Sequence, residues 1–484
     1  MLRLALALAL LFPAVAAADG ADDLTVTRSD QLSPRLREFG FTTPALSGET
    51  NVRILLPAGY DAHPNRRYPV LYLLHGCCDF DVPGSRAWTT HGEAEEATAG
   101  LPLIVVMPDG GRGGFYSDWY NNGLGGTPMW ETYHLGELMP WVDREFRTRA
   151  EREGRVIAGL SMGGFGAMKY AAEHPDRFVA AATFSGAVDT NQIAAELDAL
   201  SGLDGGVPGS VFGMRDLEEV RWRSANPWDL AENLRGLQLT LRTGNGQPGP
   251  YDDPSSGPDA LESSVHDQTV ALHEKLATLG IAHTFDDYGP GHHAWPYWAR
   301  DLKQTLPDLM AQLKHPPAPP RRVTYATAAP EYDVYGWHVK VTRPGLEFSR
   351  LSGASRRGFT LEGSGDAEVT TPPVYAGGEV KVGDGPAQTL HGPRLHVAVP
   401  LGPGNQGQQY RAGVTTQVNK TTVSITPCLT RHAVTVRLPR RVTHAHVNGK
   451  RVRARHRRLR VRLTPGSTTR VRFAGRTRRF RACA

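Results

Sequence analysis

Residues 155–173 read R-V-I-A-G-L-S-M-G-G-F-G-A-M-K-Y-A-A-E. Arg155–Gly159 is a short apolar strand pattern, and the run from Met162 has the spacing of a helix. Between them Gly159-Leu160-Ser161-Met162-Gly163 fits G-x-S-x-G, a serine held on a sharp strand-to-helix turn. So tight a turn needs small neighbours, which Gly159, Gly163 and Gly164 supply. Ser161 then stands at the head of a helix whose dipole favours a developing oxyanion. Gly and Ser are common, so the motif alone fits a Gly-rich turn with an incidental serine equally well.

Outward from this turn, V-L-Y-L-L (70–74), L-I-V-V-M (103–107) and L-Q-L-T-L (237–241) are further strand patterns. Helical patterns alternate with them; Met129–Arg147 is one, marked by Trp130, Tyr133, Leu138 and Trp141. Such alternation predicts an α/β domain over 19–314, with a mostly parallel sheet covered on both faces. H-P-P-A-P-P-R-R (315–322) reads as a stiff linker. Beyond it, 323–427 is rich in Gly, Thr and Val, with alternating segments such as W-H-V-K-V-T (337–342), and predicts a β-sandwich. Residues 428–484 predict a small Arg-rich β module. Its alternating run R-V-R-A-R-H-R-R-L-R-V-R-L (451–463) follows a hairpin signal at Asn448-Gly449.

At 484 residues the chain is long enough for two or three domains. Its opening, with Arg3, an apolar run from Leu4 to about Val15 and small residues before Asp19, reads as a signal peptide over 1–18. That run is too short to span a bilayer, and nothing later is apolar enough, so the expectation is a secreted, non-membrane protein. Cys428 and Cys483 bracket the last module and could staple it. Cys77 and Cys78 are neighbours, which rarely pair, and read as thiols acting as small hydrophobes. The net charge of +5 conceals a split: from Gly385 to Ala484 there are 21 Lys and Arg and no acidic residue. The first 384 residues therefore hold 33 basic and 49 acidic side chains, a net of −16. The basic end suits a cell-wall polyanion or glycan, or else simply a solvated strand face. Nucleic acid is a poor match, because aromatic side chains are not interleaved with the arginines.

A serine nucleophile needs a base. D-Y-G-P-G-H-H-A-W-P-Y-W (287–298) follows a late strand and offers His292 and His293, with the acid expected earlier in the chain. An oxyanion hole needs two backbone N–H donors. Met162, just after the serine, is one; Cys77, after His75-Gly76 in the loop beyond strand 70–74, is the other. Such chemistry calls for no metal or organic cofactor.

The chain resembles the esterase D family of α/β-hydrolases, and within it the mycobacterial mycolyltransferases (the antigen 85 complex). The resemblance rests on Y-P-V-L-Y-L-L-H-G (68–76), M-P-D-G-G (107–111), F-Y-S-D-W-Y (115–120), W-E-T-Y-H-L-G-E-L-M-P-W (130–141), G-L-S-M (159–162), S-A-N-P (224–227), G-N-G (244–246) and H-A-W-P-Y-W (293–298). It spans about residues 40–310. It implies an α/β-hydrolase fold, His293 over His292 as base, and Glu262 as acid, with Asp252 and Asp253 as rivals. His75, Gly76, Tyr116, Asp118, Trp119 and Trp295 become candidates for contact with an acyl-ester substrate. The implied activity is ester hydrolysis, with acyl transfer to an envelope sugar as the alternative and a purely envelope-binding role as a second. Where mycolyltransferases show D-G-L-R, this chain has His75-Gly76-Cys77-Cys78, which favours water over trehalose as acceptor.

Overall fold

A computed structural model describes residues 23–78, 81–404 and 419–483, so the expected signal peptide lies outside the described residues. The first part is a nine-stranded sheet: β1 (Thr25–Gln31), β2 (Leu36–Thr42), β3 (Thr50–Leu55), β4 (Val70–Leu74), β5 (Ile104–Pro108), β6 (Arg155–Leu160), β7 (Ala180–Phe184), β8 (Gln238–Thr243) and β9 (His283–Asp287). Their order is β1-β2-β3-β5-β4-β6-β7-β8-β9. The antiparallel hairpins β1–β3 flank a parallel run from β5 to β9. Strands β4 to β7 are buried along their length apart from Arg155, as parallel strands covered on both faces must be. One core on each face supplies that cover. One includes Phe165, Met168 and Tyr170 of helix α1 (Met162–Glu173) with Leu272 of α2 (Ala260–Thr278); the other includes Trp298, Leu302 and Leu309 of α3 (Trp295–Lys314). This is the mostly parallel α/β sheet expected from the strand and helix patterns, in the α/β-hydrolase arrangement that the resemblance implies.

The helical pattern at 129–147 is realised in two parts. Thr132–Leu138 is a π-helix, and an α-helix follows over Met139–Glu145. Pro140 lacks the N–H that a regular helix would send to the carbonyl four residues back, and the turn before it widens.

After α3 the chain runs without regular structure to Val323. A six-stranded and a four-stranded antiparallel sheet then enclose a common core that includes Trp337, Leu351, Phe359 and Val397. These sheets are docked directly on the α/β layer. Asn233 exchanges two hydrogen bonds with the Ala326 backbone (both 2.8 Å), and Arg350 grips Glu232 through two nitrogens (2.9 and 3.0 Å). Tyr325 donates to the Glu173 carbonyl at the C-terminal end of α1 (2.8 Å).

The last module holds a two-stranded and a four-stranded sheet over a small core of Val436, Leu459, Val461, Val471 and Phe473, closed by a Cys428–Cys483 disulfide. Asn448-Gly449 forms the expected tight hairpin, both residues at positive φ, with Val447 opposite Lys450. The run 451–463 is not one strand. His456 and Arg457 turn the chain at positive φ, so Lys450–Arg453 and Arg458–Arg462 join different sheets. Residues alternating on one face look alike on both sides of such a turn, and periodicity passes over it.

Candidate active site

Ser161 occupies the turn between β6 and α1 at φ 52°, ψ −122°, a strained conformation for a residue with a side chain. Its neighbours are glycine because no room is left. A Cβ on Gly163 would lie 2.4 Å from the His75 carbonyl oxygen, and one on Gly159 would lie 2.2 Å from that of Gly163. The Ser161 amide donates to Phe184 of the adjacent β7 (2.9 Å), which locks the turn to the sheet.

His293 lies in the loop between β9 and α3. Its Nε2 is 2.9 Å from Ser161 Oγ, and its Nδ1 is 2.7 Å from Glu262 Oε2. A carboxylate on one side fixes the proton on Nδ1, so Nε2 is left to accept from the serine hydroxyl. Glu262, in the first turn of α2, is fully buried. Its second oxygen accepts from the Gly244 amide (2.7 Å), Ser185 Oγ (2.8 Å) and Thr243 Oγ1 (3.2 Å). Such donors offset the loss of water that would otherwise drive a buried carboxylate neutral. Asp259 ties the two residues together. As N-cap of α2 its Oδ1 accepts from the Leu261 and Glu262 amides, while its Oδ2 accepts from the His293 amide (2.8 Å). Trp298 packs edge-on against the His293 ring, centroids 4.8 Å apart.

The His75-Gly76 loop covers the serine. His75 is buried; its Nδ1 donates to the Gly76 carbonyl (2.6 Å) and its Nε2 accepts from the Gly110 amide (2.8 Å). Asp109 Oδ1 lies 3.5 Å from the same nitrogen. A Cβ on Gly76 would come within 2.5 Å of Leu160 Cδ1 and 3.2 Å of Ser161 Cβ, so only glycine lets the loop lie this close. A cavity of about 460 Å³ opens beside it, lined by Cys78, Asp81, Asp109, Arg112, Trp130 and Asp204 among others.

With this geometry in view, a family model settles the lineage: the Esterase family matches residues 43–309. The chain belongs to that family. The esterase Rv1288 of Mycobacterium tuberculosis is 34% identical over 280 residues, covering 56% of this chain and 58% of that protein. This chain therefore spans less than two thirds of that relative. The diacylglycerol acyltransferase/mycolyltransferase Ag85B of Mycobacterium leprae is 30% identical over 253 residues, 51% of this chain and 76% of that one. Among solved structures, Mycobacterium tuberculosis MPT51 aligns with 24% identity and a TM-score of 0.44, over 56% of this chain and 96% of that one. Residues 43–309 thus form the Esterase-family domain of this chain.

Of the residues singled out from sequence, Ser161, His293 and Glu262 meet in one hydrogen-bonded line. His292 turns instead to Asp252 (Nδ1 to Oδ1 3.4 Å), which also accepts from Tyr297 OH (2.7 Å) and the Gly249 amide; Asp253 accepts from Ser255. Tyr116 and Trp119 are buried and donate to the carbonyls of His75 and Gly114, so they hold the loops up from beneath. Asp118 accepts from the Thr132 amide and hydroxyl. Trp295 packs between Trp88 and Trp298, behind the His293 loop. Sequence reasoning passed over Asp259, Ser185 and Trp298. Gly244 and Trp298 did carry a signal, as the head of the G-N-G motif and the last residue of H-A-W-P-Y-W.

Proposed function

We propose that the chain is an exported serine carboxylic-ester hydrolase working through Ser161, His293 and Glu262. The observation that supports this is the unbroken line Ser161 Oγ, His293 Nε2, His293 Nδ1, Glu262 Oε2, with both links under 3 Å. In this reading His293 takes the hydroxyl proton as Oγ attacks the ester carbonyl, and Glu262 stabilises the imidazolium. The Cys77 and Met162 amides receive the oxyanion; Cys77 acts through its backbone. Collapse breaks the ester C–O bond, the alcohol leaves with the proton from His293, and an acyl-Ser161 remains. Water, deprotonated by the same imidazole, releases the acid and frees the serine. Gly76, His75 and Trp295 position the site, and the substrate enters past the His75-Gly76 loop.

Acyl transfer is the second reading. It is favoured by the cavity beside that loop, whose carboxylates, Arg112 and Trp130 could hold a hydroxylated acceptor in place of water. Purified protein given short and long p-nitrophenyl esters, with and without a sugar acceptor, separates the two. Free acid as the sole product supports hydrolysis, and acyl-sugar in its place supports transfer. Turnover that survives Ser161→Ala would overturn the mechanism in both.

A further inference from the structure

The module at 428–483 pairs like charges across its strands. In the four-stranded sheet Arg470 stands directly opposite Arg479, and a neighbouring row runs Arg451, His446, Arg472 across three strands. In the two-stranded sheet Arg437 stands opposite Arg458. All of these side chains are exposed, while the alternate residues Val436, Leu459, Val471 and Phe473 form the core beneath. Like charges directly opposed on a ladder are destabilising. Among the described residues no carboxylate lies in ion-pair reach of these arginines, and residues 385–484 contain none; Arg481 reaches outside the module, to Glu379. From 428 to 484 there are 18 basic residues, of which 17 are Arg. A face that served solubility alone would have no such preference, since Lys, Asp or Glu serve at least as well.

We infer that these faces bind a linear phosphate polymer. The inference rests on the module alone and stands whether or not the ester chemistry does. Arginine presents a rigid fork of donors suited to phosphate. Two arginines opposed across a ladder, with Cα atoms about 5 Å apart, can each direct a fork at one tetrahedral phosphate. A planar carboxylate offers them a single edge. Along a strand, Arg470 and Arg472 repeat at about 7 Å, a spacing that meets successive charges of an extended chain. None of the large exposed apolar side chains lies in the module, so it has no wedge for a bilayer and no platform for stacking bases.

The test uses the full chain and long-chain inorganic polyphosphate, with affinity measured over a range of salt. Arg470→Thr/Arg479→Thr should weaken binding at least about fivefold and make the salt slope shallower by about two, one per lost contact. Arg321→Thr/Arg322→Thr, which removes the same charge from the exposed linker, should change neither. The first variant should also melt higher than the parent in low salt without polymer, as the opposed charges are gone, and should keep its ester turnover. If it fails to fold, Arg437→Thr/Arg458→Thr asks the same question on the other sheet. Absence of binding, equal loss in the linker variant, or equal affinity for polyglutamate or phosphatidylglycerol vesicles would overturn the inference.

Discussion

At the scale of single residues, the acid is where rival readings diverge. In Glu262→Gln the amide would face the Gly244, Ser185 and Thr243 donors with one acceptor oxygen, and the His293 tautomer would no longer be enforced. We expect kcat to fall by about 10⁴-fold, as for a triad acid changed to its amide. Asp252→Asn, whose partners are Tyr297 and Gly249, should stay within about threefold in the same esterase assay. His134 sets a second expectation. Burial lowers its pKa to about 4, and its ring is held neutral between Tyr170 OH (2.9 Å) and the Asp109 carbonyl (2.8 Å). A histidine with a lowered folded pKa supports the fold above its unfolded pKa of about 6.5, and that support is lost as pH falls toward 4. Unfolding free energies from urea titrations at pH 7.5 and 4.5 should differ by about 2.5 kcal/mol more in the parent than in His134→Gln. Ser161 and His293 could be singled out from sequence because the proposed chemistry needs those residue types next to glycines and after a late strand. His134 was not, because its buried setting comes from a π-helix that no periodicity announces.

Among the elements, α2 does more than cover the sheet. Its N-cap joins the helix start to the histidine loop, so Asp259→Ala should cost about 1 kcal/mol of stability as a lost cap. It should also free the His293 backbone. We expect kcat to drop about tenfold with KM little changed, and Asp259→Asn to restore the cap but not the His293 amide contact. A stopped-assay comparison of kcat and KM for both variants would show a purely structural role if kcat held while the melting temperature fell. Strands β4, β5 and β6 were legible as short apolar runs, and the Asn448-Gly449 hairpin as a dipeptide. The N-cap bond to His293 links residues 34 positions apart, and a one-dimensional pattern carries no trace of such a meeting.

For the molecule as a whole, the β-sandwich contacts α1 at the end opposite Ser161. Twelve helical residues put about 18 Å between that contact and Ser161. The same end gathers Glu131, Glu173 and His174, with Lys169 paired to both carboxylates. The sandwich therefore braces the catalytic layer from behind and leaves the serine's side open. Replacing Glu232 and Asn233 together by Ala strands the Ala326 amide and leaves Arg350 to its longer contacts with Glu362 (3.5 Å) and Ser352 (3.3 Å). The melting temperature should fall by several degrees while kcat stays within about twofold. Composition and the proline run disclosed that a second unit follows 314, but not that it docks, because its contacts are mostly side chains reaching backbone groups far off in the chain. The Cys428–Cys483 bond has a further consequence. Joining cysteines 55 positions apart in sequence, it makes the basic module a covalent ring hung from the sandwich. A protease that nicks any loop of that ring leaves both pieces attached to the enzyme, and a reductant then sheds the distal one. Cleavage in this module would thus go unseen on a non-reducing gel.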